Sequence, residues 1–202
     1  MGRGRPRKTD PDDALETAMR LFWERGFEAT SMNDVAAATG MAKPGLYATF
    51  GDKEALYGRA LTHYVETYGA PFLDELVNAP TPLADALRHH LMAIVDNLLN
   101  PETPGGCFLA NCVVECSAHE STREALSRAY DETRRKAFVK RFRKARSAGE
   151  LPAASDPTAL GEFFAGQAVA LGVLARGGAD RKRLERFVDV AMTAIPAAPA
   201  RH

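Results

Sequence analysis

The sequence predicts an all-α protein, with a small three-helix unit near the N-terminus followed by a larger helical domain. Apolar residues recur at helical spacing along nearly the whole chain, and no stretch alternates apolar and polar side chains between turn signals as a strand does. Two short segments with cap residues flank Gly40, as two helices around a tight glycine turn require. With 46% hydrophobic residues in 202, the chain can bury a core without disulfide staples.

The elements follow in order. Residues 1–9 (MGRGRPRKT) hold Gly, Pro and basic side chains with nothing to bury, and are expected to be a disordered arm. Pro11 suits a first helical turn, Asp12 and Asp13 suit the positive end of a helix, and Ala14, Leu15, Ala18, Leu21 and Phe22 repeat at helical spacing until Gly26. Ser31 can cap a second helix, with Asp34 three residues on reaching back as in a capping box, Val35 and Ala36 forming its buried face and Gly40 ending it. A third helix starts near Lys43 and Pro44 and ends by Gly51. Packed on the first helix, the second and third make a helix-turn-helix.

Asp52 caps a long fourth helix through Leu56, Tyr57, Ala60, Leu61 and Tyr64, expected to bend or break at Gly69-Ala70-Pro71. Further helices are expected at about 82–99, 107–118, 121–148, 157–175 and 180–195, punctuated by Pro101, Pro104, Gly105-Gly106, Pro152 and Gly177-Gly178. The boundaries follow as arm 1–9, helix-turn-helix head 10–57, larger C-terminal helical domain 58–196, and a disordered tail 197–202.

Composition narrows the function classes. Lys+Arg and Asp+Glu both number 26, so contact with nucleic acid must come from local clusters of charge. No apolar run approaches the roughly 20 residues of a membrane span, and the N-terminal arginines lead to no apolar segment, so the chain reads as cytoplasmic with no membrane partner. Cys107, Cys112 and Cys116 lie within ten positions, unlike a secreted disulfide framework, and read as reduced thiols. An enzyme using Cys107 with His89 or His119 is disfavoured, because no Gly-rich phosphate loop or nucleophile motif on a strand-to-helix turn is present. No cofactor is expected, and no metal: Cys112 and Cys116 share a face at i, i+4 while Cys107 sits well round the helix, and the adjacent His89 and His90 point in different directions.

From Gly26 to Leu56 the chain reads GFEATSMNDVAAATGMAKPGLYATFGDKEAL, which resembles the TetR family of repressors. The resemblance lies in Gly26-Phe27, Ser31, Val35-Ala36, Gly40-Met41, Leu46-Tyr47-Ala48-Thr49-Phe50 and Lys53 to Leu56; Ala42 and Thr49 depart from it, where Ser or Thr and His are usual. A recognition helix needs small or polar residues in its first turn so that its backbone can approach base edges, as Lys43, Pro44 and Gly45 allow. Lys43 can donate to guanine; Tyr47, Thr49 and Lys53 are expected on phosphates, and Ser31 and Asn33 on phosphate or a base edge. Leu46 and Phe50 read as core. The Gly-Arg-Gly-Arg-Pro run of the arm resembles the core of an AT-hook, with Arg3 and Arg5 in a narrow minor groove and Arg7 and Lys8 on phosphates.

The resemblance also implies a homodimer on a palindromic double-stranded operator, built from the last two helices, and an unknown small-molecule inducer. Leu160, Phe164, Ala168, Leu171, Leu184, Phe187, Val188 and Ala191 are the interface candidates, with a buried monomeric core as the alternative reading. The Gly-Cys-x-x-x-Asn start at Gly106, Cys107, Phe108 and Asn111 resembles a subgroup whose cysteine answers electrophiles or oxidants, and a first-turn cysteine is favoured as thiolate. Cys107 as a small core residue stays open, as do Cys112 and Cys116. A pocket lined by Tyr64, Tyr68, Phe72, Leu91, Val95 and Phe108 would suit an apolar or aromatic ligand. A helical ligand-binding module with a degenerate DNA head remains the second reading.

Overall fold

The computed structural model describes residues 10–109 and 122–197. Arg3, Arg5, Arg7 and Lys8 of the arm, and Asn111, Cys112, Cys116 and His119, lie outside the described residues. Within them the regular structure is helical, as the sequence periodicity requires.

Local chemistry sets the head. Helix α1 (Pro11–Arg25) starts where Asp10 accepts from the Asp12 N–H at 2.9 Å, carries proline in its first turn, and ends at Gly26. Helix α2 (Met32–Thr39) has both bonds of the capping box between Ser31 and Asp34, and Gly40 closes it at φ 71°, ψ 6°. An added Cβ at Gly40 would meet nothing within 4 Å, so left-handed backbone and not crowding demands glycine there. Helix α3 (Lys43–Phe50) follows from Ala42, which supplies no side-chain cap. Helix α4 (Lys53–Tyr64) is capped by Asp52, which accepts from Ala55 N at 2.8 Å.

The expected break near Pro71 is milder than the sequence suggests. A π-helical turn at Val65–Gly69 carries the chain directly into α5 (Ala70–Asn78), with the Ala70 N–H bonded to Val65 O, so the proline enters a first turn where its missing N–H costs little. The larger domain is completed by α6 (Leu83–Leu98), α7 (Thr122–Ser147), α8 (Pro157–Arg176) and α9 (Arg181–Met192). At the far end the guanidinium of Arg141, 1% exposed, donates to Thr81 O at 2.8 Å, and Glu150 accepts from the first N–H of α6.

Two apolar clusters form. The first joins α1 to α4 and includes Trp23, Leu46, Phe50, Tyr57, Leu61, Tyr64 and Phe108; the second joins α5 to α9 around Leu87, Leu91, Phe138, Phe142, Phe164 and Leu171. Cys107 and Tyr130 pack against both clusters.

The last two helices correct the expected interface. Phe164, Ala168, Leu171, Leu184, Val188 and Ala191 are buried in the subunit's own core, while Leu160 and Phe187 are partly buried against it. The exposed large apolar side chains of these helices are instead Phe163, Val173 and Val190. The helical phase decides: α8 lies so close on α7 that a Cβ at Gly161 would sit 2.7 Å from backbone atoms of Val139, turning the Phe164 stripe inward. Helix α8 is also long and apolar enough to cross a membrane by length and composition, contrary to the expectation from uninterrupted apolar runs, because Leu, Val, Phe and Ala dominate it despite scattered polar residues. Only 33% of its apolar window is buried in this chain.

Close packing at Gly161 sets a stability test. Gly161→Ala is expected to lower the unfolding free energy by about 1–3 kcal/mol, since overpacking against backbone outweighs the gain in helix propensity. Gly166→Ala, where a Cβ meets nothing within 4 Å, is expected to be neutral or stabilising in the same denaturant titration.

Candidate nucleic-acid interface and sensor cavity

The surface of the α2–Gly40–α3 unit is polar and open where the sequence expects DNA. Ser31, Asn33, Lys43, Pro44 and Tyr47 are exposed, Gly45 and Thr49 half-buried, and Leu46 and Phe50 fill the core beneath. Tyr47 is 50% exposed, unusual for a tyrosine on a helix whose neighbours Leu46 and Phe50 are buried. An alanine at Gly45 would meet only the Met41 methyl at 3.7 Å, so nothing inside the head requires glycine there, and its absent side chain leaves the backbone open to an approaching partner. Lys53 is tethered, with Nζ 4.1 Å above the Phe27 ring. Arg59, which no sequence motif singles out, donates to Thr49 O at 3.1 Å and lies 5.8 Å from the Phe50 ring, fixing the end of α3 to α4.

Where the head meets the larger domain, side chains of α1 hold the loop that leads to Cys107. The Trp23 indole donates to Gly106 O at 3.1 Å. Arg20 donates to Glu102 O at 2.6 Å and to the Tyr68 hydroxyl at 3.3 Å, while Glu16 holds Arg20 Nε at 2.6 Å and contacts His63 at 3.0 Å. Arg176, at the end of α8, reaches Gly105 O at 3.3 Å and the α1 carbonyls of Trp23 and Glu24 at 3.4 Å each. Gly106 is held at φ 80°, and a Cβ there would press on Arg176 at 3.1 Å. No spacing rule joins residues this far apart in sequence; the chain's one tryptophan, one step off the apolar stripe of α1, was the available signal.

Cys107 stands immediately before the helical residues Phe108 and Leu109, at the mouth of the following segment. It is half-buried and accepts a hydrogen bond from the Tyr64 hydroxyl, 3.5 Å from its sulfur. Burial, and then the neighbouring thiol, pushes the Tyr64 hydroxyl well above the usual phenol range, and burial with the same thiol pushes Tyr130 up to about 12. Both phenols therefore stay protonated and able to donate at neutral pH.

Cys107 also lines a cavity of about 60 Å³ with Tyr64, Tyr68, Phe72, His90, Tyr130 and Arg134. Three of the six expected lining residues, Tyr64, Tyr68 and Phe72, are there. Leu91, Val95 and Phe108 are not: the first two are fully buried in the larger core, and Phe108 stacks on Trp23 and meets Tyr57 and Tyr64 edge-on in the aromatic cluster of the head. His90, Tyr130 and Arg134 are additions that helical periodicity could not select, because they come from α6 and α7 and meet only in the fold. Arg134 pairs with Asp131 and lies over the Tyr130 ring at 5.6 Å. Among the described residues no group of His, Cys, Asp and Glu is arranged to hold a metal ion.

Comparison with known proteins agrees with this division of the chain. The model for bacterial regulatory proteins of the tetR family matches residues 14–60, and the model for the tetracyclin repressor-like C-terminal domain matches residues 81–191. The HTH-type transcriptional repressor ComR of Escherichia coli strain K12 is 32% identical over 96% of this chain and 90% of its own. The HTH-type regulator YezE of Bacillus subtilis strain 168 is 28% identical over 95% of this chain and 99% of its own. A solved structure of the TetR family regulator CifR, a cysteine mutant complexed with 26-bp double-strand operator DNA, superposes with TM-score 0.86 at 34% identity, covering 96% of this chain and 100% of that one.

Burial of His90 gives a pH signature. Desolvation lowers its pKa from 6.5 to about 4, so the unfolded chain takes up a proton below pH 6.5 that the folded chain refuses until about pH 4. The stability this represents, about 3 kcal/mol, is present above pH 6.5 and is lost as pH falls to 4. Urea titrations at stepped pH are expected to show that loss in the wild type and a flatter profile in His90→Leu; equal slopes would contradict it.

Proposed function

Because the chain belongs to the TetR family of bacterial regulatory proteins, a DNA-binding transcriptional regulator and not an enzyme, we propose that it is a homodimeric repressor of a palindromic operator whose grip is released through the cavity at Cys107. The observation that carries the first half is the open α3 face, with Lys43, Pro44, Gly45 and Tyr47 above a fully buried Leu46, in a chain whose relatives are named repressors or were solved on operator DNA. Lys43 reads a base edge, Tyr47, Thr49 and Lys53 contact phosphates, Ser31 and Asn33 assist from α2, and the arm's Arg3, Arg5, Arg7 and Lys8 follow the minor groove and its flanking phosphates.

The dimer is supported by the apolar surplus of the last two helices. Phe163, Val173 and Val190 are 41%, 49% and 70% exposed, with Leu160 and Phe187 half-buried between them and the core. Water-facing apolar area of that kind on a helix pair is covered by an isologous partner at low cost. Two heads then face successive major-groove segments about 34–36 Å apart.

The release reading rests on the seam. Cys107 packs against both cores, and the loop before it hangs from α1 by Trp23, Arg20 and Arg176. Adding bulk to the thiol, or filling the cavity, favours a loop position that tilts α1 and α4 and spoils the half-site spacing, which is a shift between two pre-existing states. The Gly-Cys-x-x-x-Asn pattern at Gly106, Cys107 and Asn111, which resembles a subgroup whose cysteine answers electrophiles or oxidants, supports the Cys107 sulfur as the modified atom.

Binding to the chain's own upstream DNA tests this. Lys43→Ala is expected to cost about 1–3 kcal/mol and to relax specificity, and Arg3→Ala with Arg5→Ala to lower the salt slope by about 1 for each arginine replaced. N-ethylmaleimide is expected to release wild type and leave Cys107→Ser bound; release of both proteins alike assigns the effect elsewhere. Phe163→Glu is expected to give monomers by sedimentation and to abolish operator binding, whereas a persisting dimer would place the interface on another face.

A further inference from the structure

One side chain carries hydrogen bonds from the last two helices into the head. Among the described residues, Arg176 alone of α8 and α9 bonds there: its Nη1 donates to Trp23 O at 3.4 Å and its Nη2 to Glu24 O at 3.4 Å. The same Nη1 reaches Gly105 O in the loop at 3.3 Å. These bonds do nothing for the end of α8 itself, which is closed by Gly177 N–H on Val173 O and Gly178 N–H on Ala175 O, each at 3.0 Å.

Trp23 and Glu24 lie in the last turn of α1, where carbonyls lack intrahelical partners and a nearby cation is favoured. A guanidinium offers five N–H donors in a fixed fork and accepts nothing, so it suits carbonyls converging from two segments better than an ammonium does. All three acceptors are main-chain oxygens, so Arg176 holds the helix and the loop themselves and not a neighbouring rotamer. The end of α8 comes this near because Gly106 has no side chain: a Cβ there would lie 3.1 Å from Arg176 Cβ. With the Trp23 indole bonded to Gly106 O, the end of α1, the loop and the end of α8 meet at one point.

Val173 is 49% exposed and stands three residues before Arg176, on the same side of α8. A partner copy that covers Val173 fixes the turn carrying Arg176 relative to the two-fold axis. We infer that Arg176 is a positioning residue for operator binding: it fixes the angle between each head and the dimer axis, and so sets the half-site spacing the protein accepts. It acts through α1, against which α2 packs, and needs no contact with DNA. The inference rests on the homodimer proposed above and on no chemistry at Cys107. Heads released from this bond accept a wider range of spacings, and bind the correct one less tightly, because binding then has to supply the ordering that Arg176 provides in advance.

The test uses the full chain and three duplexes: the palindrome that wild type enriches from a random pool, the same palindrome with one base pair inserted at its centre, and a scrambled sequence. The insertion moves one half-site about 3.4 Å along the duplex. Arg176→Met, a change at an exposed position, is expected to leave sedimentation and melting as in wild type. Its affinity for the palindrome is expected to fall about tenfold, and its preference for the palindrome over the inserted duplex also about tenfold. Binding to the scrambled duplex, set by phosphate contacts, is expected to stay within about twofold. Arg176→Lys, which keeps the charge and loses the fork, is expected to fall between. The full wild-type preference in either variant, or an equal loss on all three duplexes, would overturn the role of Arg176 while leaving the dimeric repressor standing. A wild type that sediments as a monomer, or enriches no palindrome, would overturn both.

Discussion

The hydrogen bond from the Trp23 indole to the Gly106 carbonyl, 3.1 Å long and buried, is the constraint on which the junction of the two halves depends. It joins a helix of the head to the residue before Cys107 across 83 positions of sequence. Without it the indole N–H would be buried and unpaired, at a cost on the order of 1–3 kcal/mol. The bond needs Gly106 at positive φ, and that backbone in turn leaves room for Arg176, whose guanidinium ties α8 to the same loop and to the end of α1. One loop is thus held by the head and by an apolar helix of the larger domain together.

Around that bond the packing is aromatic. Trp23 meets Tyr64 edge-on at 4.9 Å and Phe108 in a stack at 6.4 Å, and Phe108 meets Tyr57 at 5.4 Å. Rings in such a cluster are close-packed, so a change at one edge bears directly on its neighbours. The cavity opens at that edge, where Tyr64 faces Cys107 and the α5 start lies under Tyr130 closely enough that Gly69 admits no Cβ, which would come 2.5 Å from the Tyr130 oxygen. Chemistry in the cavity and geometry in the head are therefore neighbours, with no long relay between them.

Local rules made most of the head legible in the sequence. Ser31 with Asp34, Gly40, Pro11 and Asp52 announce helix ends by chemistry that acts within a few residues, and the structure uses them in those roles. The last two helices were legible as helices but not in phase: Phe163 and Phe164 are adjacent and equally apolar, yet one faces water and the other is fully buried, a choice set by where Gly161 meets Val139. The cavity was half legible. Tyr64, Tyr68 and Phe72 follow from the helical stripe through α4 and α5, whereas His90 and Arg134 enter from helices whose placement no periodicity specifies. Trp23, Arg20 and Arg176 act across even longer separations, which single-sequence patterns do not encode.

In the proposed mechanism the seam at Cys107 sets the position of the heads through Trp23, and the distance between the two heads of the dimer tests it most directly. A non-cysteine spin label at the exposed Ala38 of α2, measured by electron–electron resonance before and after alkylation, reports that distance. Wild type is predicted to shift its distribution on alkylation, and Trp23→Phe, which keeps a ring but loses the N–H, to shift far less. An unchanged wild-type distribution while DNA is released, or an equal shift in both proteins, would contradict it.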